Sequence, residues 1–403
     1  MRIQRRLPLA TIILCVPWPL CAQIDPYPRE LIELGYYQGL NGEAPFAGYA
    51  YYYHNVPQFV HNNLALRVVL APTYVDGELG IRHALGPYTD VGIGLAGGGF
   101  AYSYNEIRGG TWFQDESWLG HGVEVSGSIY HLFNPTARIP LYGVLRSSFQ
   151  YILYQRDNTA PNFAIPDNQP DIALRGGVRW GGEEFALLSD LGFEISGWYE
   201  GEFRLSSGPY GFANDRIIEP SVHHFWGRAF FLYTMPGSKH TAGLGLEGGS
   251  AIHPDRLSAY RLGGMLDLAS EFPHSIPGYN FGELSAQSFV LLSGFYEVPL
   301  DSRNCWRIGA GGAVGLVSFT PGMDQPDHWN SGVGCGLAYR NPAESVKVAL
   351  LYGYGINAMR NNGEGGHAIA LVAQFDLEKS KVGKGTRPRL PPAKLFKRFR
   401  GIY

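Results

Sequence analysis

Three side chains in one glycine-rich stretch have the types to do polar chemistry together: Arg261, a fixed cation, Tyr279, a phenol, and Glu283, a carboxylate. They are set among Gly263, Gly264, Pro277, Gly278 and Gly282. Glycine adopts backbone conformations that other residues resist. Proline fixes its own φ and biases Ile276 towards extended geometry. From such a backbone, these side chains can anchor a loop by ion pairing, hydrogen bonding and packing. Catalysis is not indicated. The chain has no Gly-x-Ser-x-Gly elbow, no His-Glu-x-x-His and no Cys-x-x-Cys. His223 and His224 sit side by side in a strand pattern, so their rings point to opposite faces and cannot share a metal. No catalytic residue, metal or cofactor is expected. Cys305 and Cys335 fall on neighbouring strands at different heights, which favours two thiols over a disulfide.

The elements that must position this stretch have a period of two. Leu191, Phe193, Ile195, Tyr199 and Phe203 alternate with Glu194, Ser196, Trp198, Glu200 and Glu202. Ile172, Leu174, Val178 and Trp180 alternate with Arg175 and Arg179, and Val123, Val125 and Ile129 with Glu124, Ser126 and Ser128. Strand periodicity of this kind runs along the whole chain. It gives strands near 46–53, 63–75, 88–100, 119–131, 141–155, 171–181, 190–203, 221–233, 240–250, 286–298, 305–317, 332–340, 345–355 and 366–376. That count is fourteen, and sixteen if two weaker strands lie within 24–45 and 76–87.

The solvent around these strands is read from their length and their connections. Runs of ten or more residues match a tilted strand crossing hydrocarbon, whereas soluble strands are mostly shorter. Aromatics recur near strand ends at Tyr51–Tyr53, Tyr151 with Tyr154, and Phe230 and Phe231 with Tyr233, as interfacial girdles do. Short links at 132–140, 235–239, 299–304 and 341–344 alternate with long ones at 101–118, 156–170, 204–220, 251–285 and 318–331. This is the pattern of periplasmic turns and extracellular loops. Because lipid tolerates no open sheet edge, the sheet must close. The fold class is therefore all-β, a transmembrane antiparallel barrel of 14–16 strands, in contact with outer-membrane lipid of a Gram-negative bacterium.

The ends fit export. Arg2, Arg5 and Arg6 precede an apolar stretch from Leu7 to Leu20 and a small residue at Ala22, which reads as a signal peptide over 1–22. A short periplasmic segment, 23–45, then leads into a barrel over 46–376, and a basic periplasmic tail, 377–403, follows. The net charge of -3 gives no reason to expect a nucleic acid partner.

The stretch that opened this section belongs to the longest extracellular loop, 251–285, and enters the fifth strand from the end. Here the chain resembles the barrel domain of the BamA/TamA-type outer-membrane assembly proteins, the bacterial surface antigen family. In that family a long loop carries an Arg-Phe-x-x-Gly-Gly element and then a Val-Arg-Gly-Tyr/Phe motif, folds back inside the barrel, and is followed by five strands. Arg261-Leu262-Gly263-Gly264 is similar to the first element and Ile276-Pro277-Gly278-Tyr279 to the second. Gly282-Glu283-Leu284 resembles versions in which a patatin-like lipase precedes the barrel.

Two departures stand out. Pro277 replaces the motif arginine, which in the family reaches an acidic partner inside the barrel, and only 24–45 precedes the first strand, which leaves no room for POTRA repeats. The resemblance implies a scaffold for insertion or translocation of client proteins, with periplasmic or outer-membrane partner proteins in place of those repeats and a weak seam between first and last strands. The alternative is a passive pore or structural barrel that has lost assembly activity.

On this face assignment Arg67, Glu124, Arg146, Arg175, Arg179, Glu194, Glu200, Glu202, Arg228 and Glu247 point into the lumen. Their mixed sign argues against a strongly ion-selective pore. With no motif arginine, Tyr279 and Glu283 are expected to hold the loop, with Arg261 as charge partner and Arg228 and Glu247 as candidate lumenal partners.

From Lys379 onward the tail carries nine Lys or Arg and no acid, interrupted by Pro388, Pro391 and Pro392. It is expected to be disordered as far as the prolines, with Lys394–Arg400 on anionic head groups or on a partner. Deleting 379–403 should leave membrane insertion intact. Loss of the heat-modifiable folded form on a cold gel would overturn this reading of the tail.

Overall fold

The computed structural model describes residues 28–45, 47–182, 190–266, 273–360 and 363–382. Sixteen antiparallel strands close on themselves. They are β1 (Arg29–Gly39), β2 (Ala47–Val56), β3 (Leu64–Leu70), β4 (Tyr74–Ile81), β5 (Thr89–Gly98), β6 (Thr111–Leu132), β7 (Leu141–Gln155) and β8 (Gln169–Gly181). The circle continues through β9 (Leu191–Arg204), β10 (Ser221–Thr234), β11 (Thr241–Ile252), β12 (Leu284–Pro299), β13 (Trp306–Phe319), β14 (Trp329–Arg340), β15 (Val346–Arg360) and β16 (Gly363–Asp376). Each strand pairs with the next, and β16 returns to β1 in continuous register from Asp376 opposite Leu31 to Ala368 opposite Gly39. Closure leaves no row of unpaired backbone groups facing lipid.

The two strands beyond the fourteen stand where the pattern left room for them. β1 occupies 29–39, so the barrel begins at Arg29 and not at 46, and this part of the expected periplasmic segment is wall. Its acidic composition hid it: Glu33 faces inward, is fully buried, and accepts from Tyr51 and from Gln374 across the seam at 2.7 Å. β4 was hidden in the same way. Asp76 and Glu78 look like loop residues, yet they point into the lumen, where each lies 3.3 Å from Arg67. Pro72 ends β3, and the run read as a single strand over 63–75 turns back there.

The alternation resolves as a wet inside and an apolar outside. Leu95, Val123, Leu244 and Leu350 stand 64%, 62%, 58% and 53% exposed on the outer face. Inside, Glu124 takes Arg146 at 2.8 Å, while Glu194 takes both Arg179 and Arg228, at 2.5 and 2.7 Å. Arg175 lies over the rings of Trp198 and Trp226, themselves stacked. The aromatic girdle is thinner than the sequence led one to expect. Tyr52, Tyr151, Phe231 and Tyr233 do face outward, but Tyr51 and Tyr53 are buried inward, and Tyr154 packs towards the loops. Of the two histidines, His223 faces out beside Tyr199, and His224 faces in, bonded to the Ser258 carbonyl. Cys305 and Cys335 are free thiols.

With the start of β1 and the end of β16 on one side, the long loops gather at the other. The upper part of β6 pairs with Tyr104–Arg108, and a small sheet of Phe163–Ala164, Pro209–Phe212 and Arg216–Ile217 sits beside it. Tyr104, Trp118, Phe163, Tyr210 and Ile218 form a buried cluster there. Directly after β16, on the side away from the long loops, a short helix, α1 (Leu377–Val382), occupies the first six residues of the expected tail, where disorder was expected from Lys379, and places Lys379 3.5 Å from Glu344. The stretch expected to be a signal peptide, 1–22, and residues 383–403 lie outside the described residues.

Val125→Arg, on the lipid face of β6, should lower unfolding stability by roughly 2–4 kcal/mol. Chemical denaturation in lipid vesicles measures it, and an unchanged midpoint would mean that this face does not meet hydrocarbon.

Candidate functional site: the turn seated on the barrel wall

The loop between β11 and β12 is tied down at its start, its middle and its end. Near the start, Asp255 accepts from Arg204, from the Glu219 amide at 2.9 Å and from the amides of Leu257 and Ser258 at 3.0 and 2.9 Å. Arg256 pairs with Glu106 at 2.5 Å. In the middle, Tyr260–Leu262 forms a short strand against Leu284–Ala286, and Gly263 donates to the His274 carbonyl at 2.9 Å. Gly264 and Ile276 form an isolated bridge. The two glycine-bearing elements singled out in the sequence are therefore hydrogen-bonded to each other, and Gly263, Gly264 and Gly282 all hold positive φ. His274 reaches Glu247 on β11 at 2.7 Å.

The end of the loop, 276–283, is the turn that carries Tyr279 and Glu283. Tyr279 is fully buried, and its hydroxyl donates to Asn330 Oδ1 on β14 at 3.2 Å. Burial pushes its phenol well above the ordinary range, so it remains a donor. Its carbonyl accepts from the Tyr37 hydroxyl on β1. Glu283, also buried, accepts from the Asn280 amide at 2.6 Å and from Arg360 on β15 at 3.0 Å. The same guanidinium donates to the Gly278 carbonyl at 3.0 Å.

This close fit depends on missing side chains. At Gly278, φ is +82°, and a Cβ there would collide with the Gly355 backbone of β15. On the opposing wall, a Cβ at Gly332 of β14 would strike the Pro277 carbonyl. Glycine on both sides lets two backbones lie against each other where any larger residue would hold them apart. Around the turn Leu262, Ile276, Leu284, Phe289, Leu291 and Val317 belong to the largest apolar cluster in the described residues, which also takes in Tyr279 itself.

Two expected partnerships are replaced. Arg261 does not meet Glu283. It lies over the Tyr104 ring, 4.9 Å from the centroid, and donates to the Arg256 carbonyl at 3.2 Å. Arg228 is taken by Glu194 on the wall, and Glu247 meets the loop through His274 rather than through Tyr279 or Glu283. Sequence reasoning missed three partners of the turn, Tyr37, Asn330 and, the one that carries charge, Arg360. Arg360 lies 77 residues beyond Glu283 in an ordinary strand end, and nothing in its local sequence marks it.

Relative to the arrangement that the family resemblance implies, the charges have changed places. The loop now carries the carboxylate and the wall the arginine. Burial raises the Glu283 carboxyl above its usual range even with Arg360 against it. A buried pair of this kind fixes geometry more than it adds stability.

No protein-family model and no curated protein matches this sequence. Solved structures do. CdiB from Acinetobacter baumannii aligns with a TM-score of 0.53 at 11% identity, over 86% of this chain and 60% of its own. BamA from Haemophilus ducreyi lacking POTRA domains 1-3 aligns with a TM-score of 0.54 at 11% identity, over 87% of this chain and 71% of its own. CdiB from Escherichia coli gives 0.54 at 11%, over 85% and 63%. The chain thus spans somewhat under two thirds of the two CdiB proteins. At this identity the likeness establishes the fold: the chain folds as those barrels do.

Arg360→Met should leave Glu283 buried without its cation and cost about 3–5 kcal/mol. Adding Glu283→Leu should recover at least half of that loss. Unfolding of the reconstituted barrel measures both, and additive losses would show that the two side chains are not coupled.

Proposed function

We propose that this chain is an outer-membrane barrel that serves as a scaffold for insertion or translocation of client proteins, with loop 251–285 as a lumenal plug. The observation that carries the reading is the seat of the turn: Tyr279 and Glu283, both fully buried, bonded to Asn330 and Arg360 on the wall. A loop built for display at the cell surface has no use for a buried ion pair or for glycines matched to a glycine-bearing wall. The likeness of fold to BamA and CdiB supports the same reading. Partner proteins on the periplasmic or outer-membrane side would deliver clients, and no cofactor enters the scheme.

The electrostatics of the interior also favour a filled lumen over a conducting one. Many of the inward charges are engaged with one another, Arg67 with Asp76 and Glu78, Arg146 with Glu124, and Arg179 and Arg228 with Glu194. A pore that selects ions presents rings of one sign to the passing ion. Beneath the loop a cavity of about 320 Å³ remains, bounded by Met265 and Pro277 on the loop and by Leu291, Ala313 and Leu351 on the wall. Its lining is mostly apolar, with Arg228, Glu247, Glu297 and Arg307 among it.

In planar bilayers the purified barrel should give rare, flickering openings. Gly278→Ala, which forces the turn off the wall, should raise the open fraction several-fold. Steady, large conductance from the unmodified protein would favour a passive pore and overturn the scaffold reading.

A further inference from the structure

The lumen is not uniform around its circumference. On one side its inner face carries charge, as at Arg67 with Glu78 and at Arg146 with Glu124. From β10 to β15, in the half away from the long loops, it turns apolar: Phe230, Leu232, Phe295, Ala338, Ala349 and Leu351 line the cavity beneath the loop. Apolar surface left in water is unfavourable, and a wet lumen does not demand it. Among the described residues the loop meets this cavity through Met265, Pro273, Ser275 and Pro277. Nor do the small residues of this wall all serve the turn. Gly332 does, but at Gly243 of β11 and Gly336 of β14 the nearest atoms belong to the wall itself. An added Cβ would come 2.2 Å from the Phe295 ring at Gly243 and 2.4 Å from Leu351 Cδ2 at Gly336. Phe295 and Leu351 thus lie across neighbouring glycines, and the space beside them is left to the cavity.

Along β13 the cavity runs from Arg307, near the strand's start, to Ala313 beneath the loop, which is about 20 Å of strand. The end at Arg307 is where cations gather. Three successive strands each place a buried one on the inner face there: Arg307 on β13, Arg340 on β14 and Lys347 on β15. Arg340 and Lys347 stand directly opposite each other in the ladder, one inward step below the apolar pair Ala338 and Ala349. Like charges opposed in this way repel. Carboxylates approach from the flanks, Glu297 at 3.0 Å from Arg307, and Asp190 and Glu344 at 3.4 and 3.8 Å from Arg340. Arg307 also donates to Asn304 and Thr241, both at 2.6 Å. A guanidinium has five N–H groups, so these three partners do not exhaust it.

An apolar trough with cations at one end matches an amphiphile that has one chain and an anionic head. The cavity, about 320 Å³, stands at the low end of the range for small-molecule sites, about 300–1,000 Å³. It has room for one acyl chain and not for the paired chains of a phospholipid. A carboxylate suits guanidinium groups, which bind it through paired N–H donors. We propose that this half of the lumen binds a fatty acid, with its carboxylate at Arg307, Arg340 and Lys347 and its chain along Phe295, Ala338 and Leu351 towards the loop. An apolar segment of a client protein would also cover the trough, but it brings no anion to the cations. The site goes beyond the scaffold reading and does not depend on it.

The test is photolabelling of the full-length barrel in lipid nanodiscs by palmitic acid that carries a diazirine at the far end of its chain, with the adducts located by mass spectrometry. Adducts should form on Leu291, Ala313 or Leu351 beneath the loop. Unlabelled palmitic acid should compete them away, and its methyl ester should need about tenfold more or beyond, the factor that one charged hydrogen bond corresponds to. Ser293→Phe puts a ring into the cavity and should abolish the inner adducts, while those on Leu244 and Leu350 of the lipid face persist. Leu292→Phe, on the lipid face of the same strand, should leave the inner adducts unchanged. Adducts confined to lipid-facing residues overturn the proposal, since that is partition into the surrounding bilayer. Inner adducts that survive Ser293→Phe in folded, heat-modifiable protein also overturn it. So does equal competition by the ester, which needs only the unmodified protein and decides the matter if Ser293→Phe does not fold. None of these results bears on client insertion, which is measured separately.

Discussion

Everything in this molecule follows from one constraint: inside hydrocarbon, a backbone N–H or C=O that is not paired with protein has nothing else to pair with. A sheet can meet that demand only by closing. Closure requires the first strand to find the last, and β1 does so in unbroken register with β16 over Leu31–Gly39. The outer face must then be apolar along every strand, and the period of two hands the inner face to whatever residues remain. The polar and charged side chains do not sit inside because the lumen needs them. They sit inside because the outside refuses them.

An interior filled in that way has to be satisfied internally, and the barrel does so by pairing across neighbouring strands. Arg67 is set opposite Glu78 by the register of β3 on β4, and Arg228 opposite Glu247 by that of β10 on β11, yet Arg228 turns to Glu194 and leaves Glu247 for His274 of the loop. The returning loop is therefore bound by charges that the wall left open to it. At its tip the logic changes from charge to shape. Where Pro277 and Gly278 lie on β14 and β15, the wall offers Gly332 and Gly355, and contact is between backbones. Shape sets the position, and the buried Glu283–Arg360 pair then fixes the orientation, because a charge taken out of water tolerates few geometries.

The pairing of carboxylate on the loop with arginine on the wall has a physical sense beside Pro277. Proline has no side chain that could carry a charge to the lumen, and its ring sits close to Gly334 of the wall instead, where an added Cβ would lie 3.5 Å from it. The charge that anchors the turn must then come from another position of the same turn. Glu283 sits where it can also accept from the Asn280 amide at 2.6 Å, which ties the turn to itself while Arg360 ties it to the wall. One carboxylate thus shapes the turn and docks it.

How much of this was legible beforehand differs by level, for reasons that can be stated residue by residue. Alternation such as Phe193, Ile195 and Tyr199 against Glu194, Ser196 and Trp198 is local, so the strand pattern, the all-β class, the barrel and the alternation of short and long connections could be read from one dimension. β1 and β4 escaped as strands because Glu33, Asp76 and Glu78 look like solvent residues until a lumen exists to receive them. The glycines and proline of the loop marked a turn that needed close approach, and Tyr279 and Glu283 marked what would hold it. Their partners could not be read. Asn330, Arg360 and Tyr37 are brought to the turn by strand register and by closure of the ring, which place residues 51, 77 and 242 positions away within hydrogen-bond reach. A sequence states which side chains seek a partner. Only the closed sheet decides which partner stands opposite, because register is a property of all sixteen strands together.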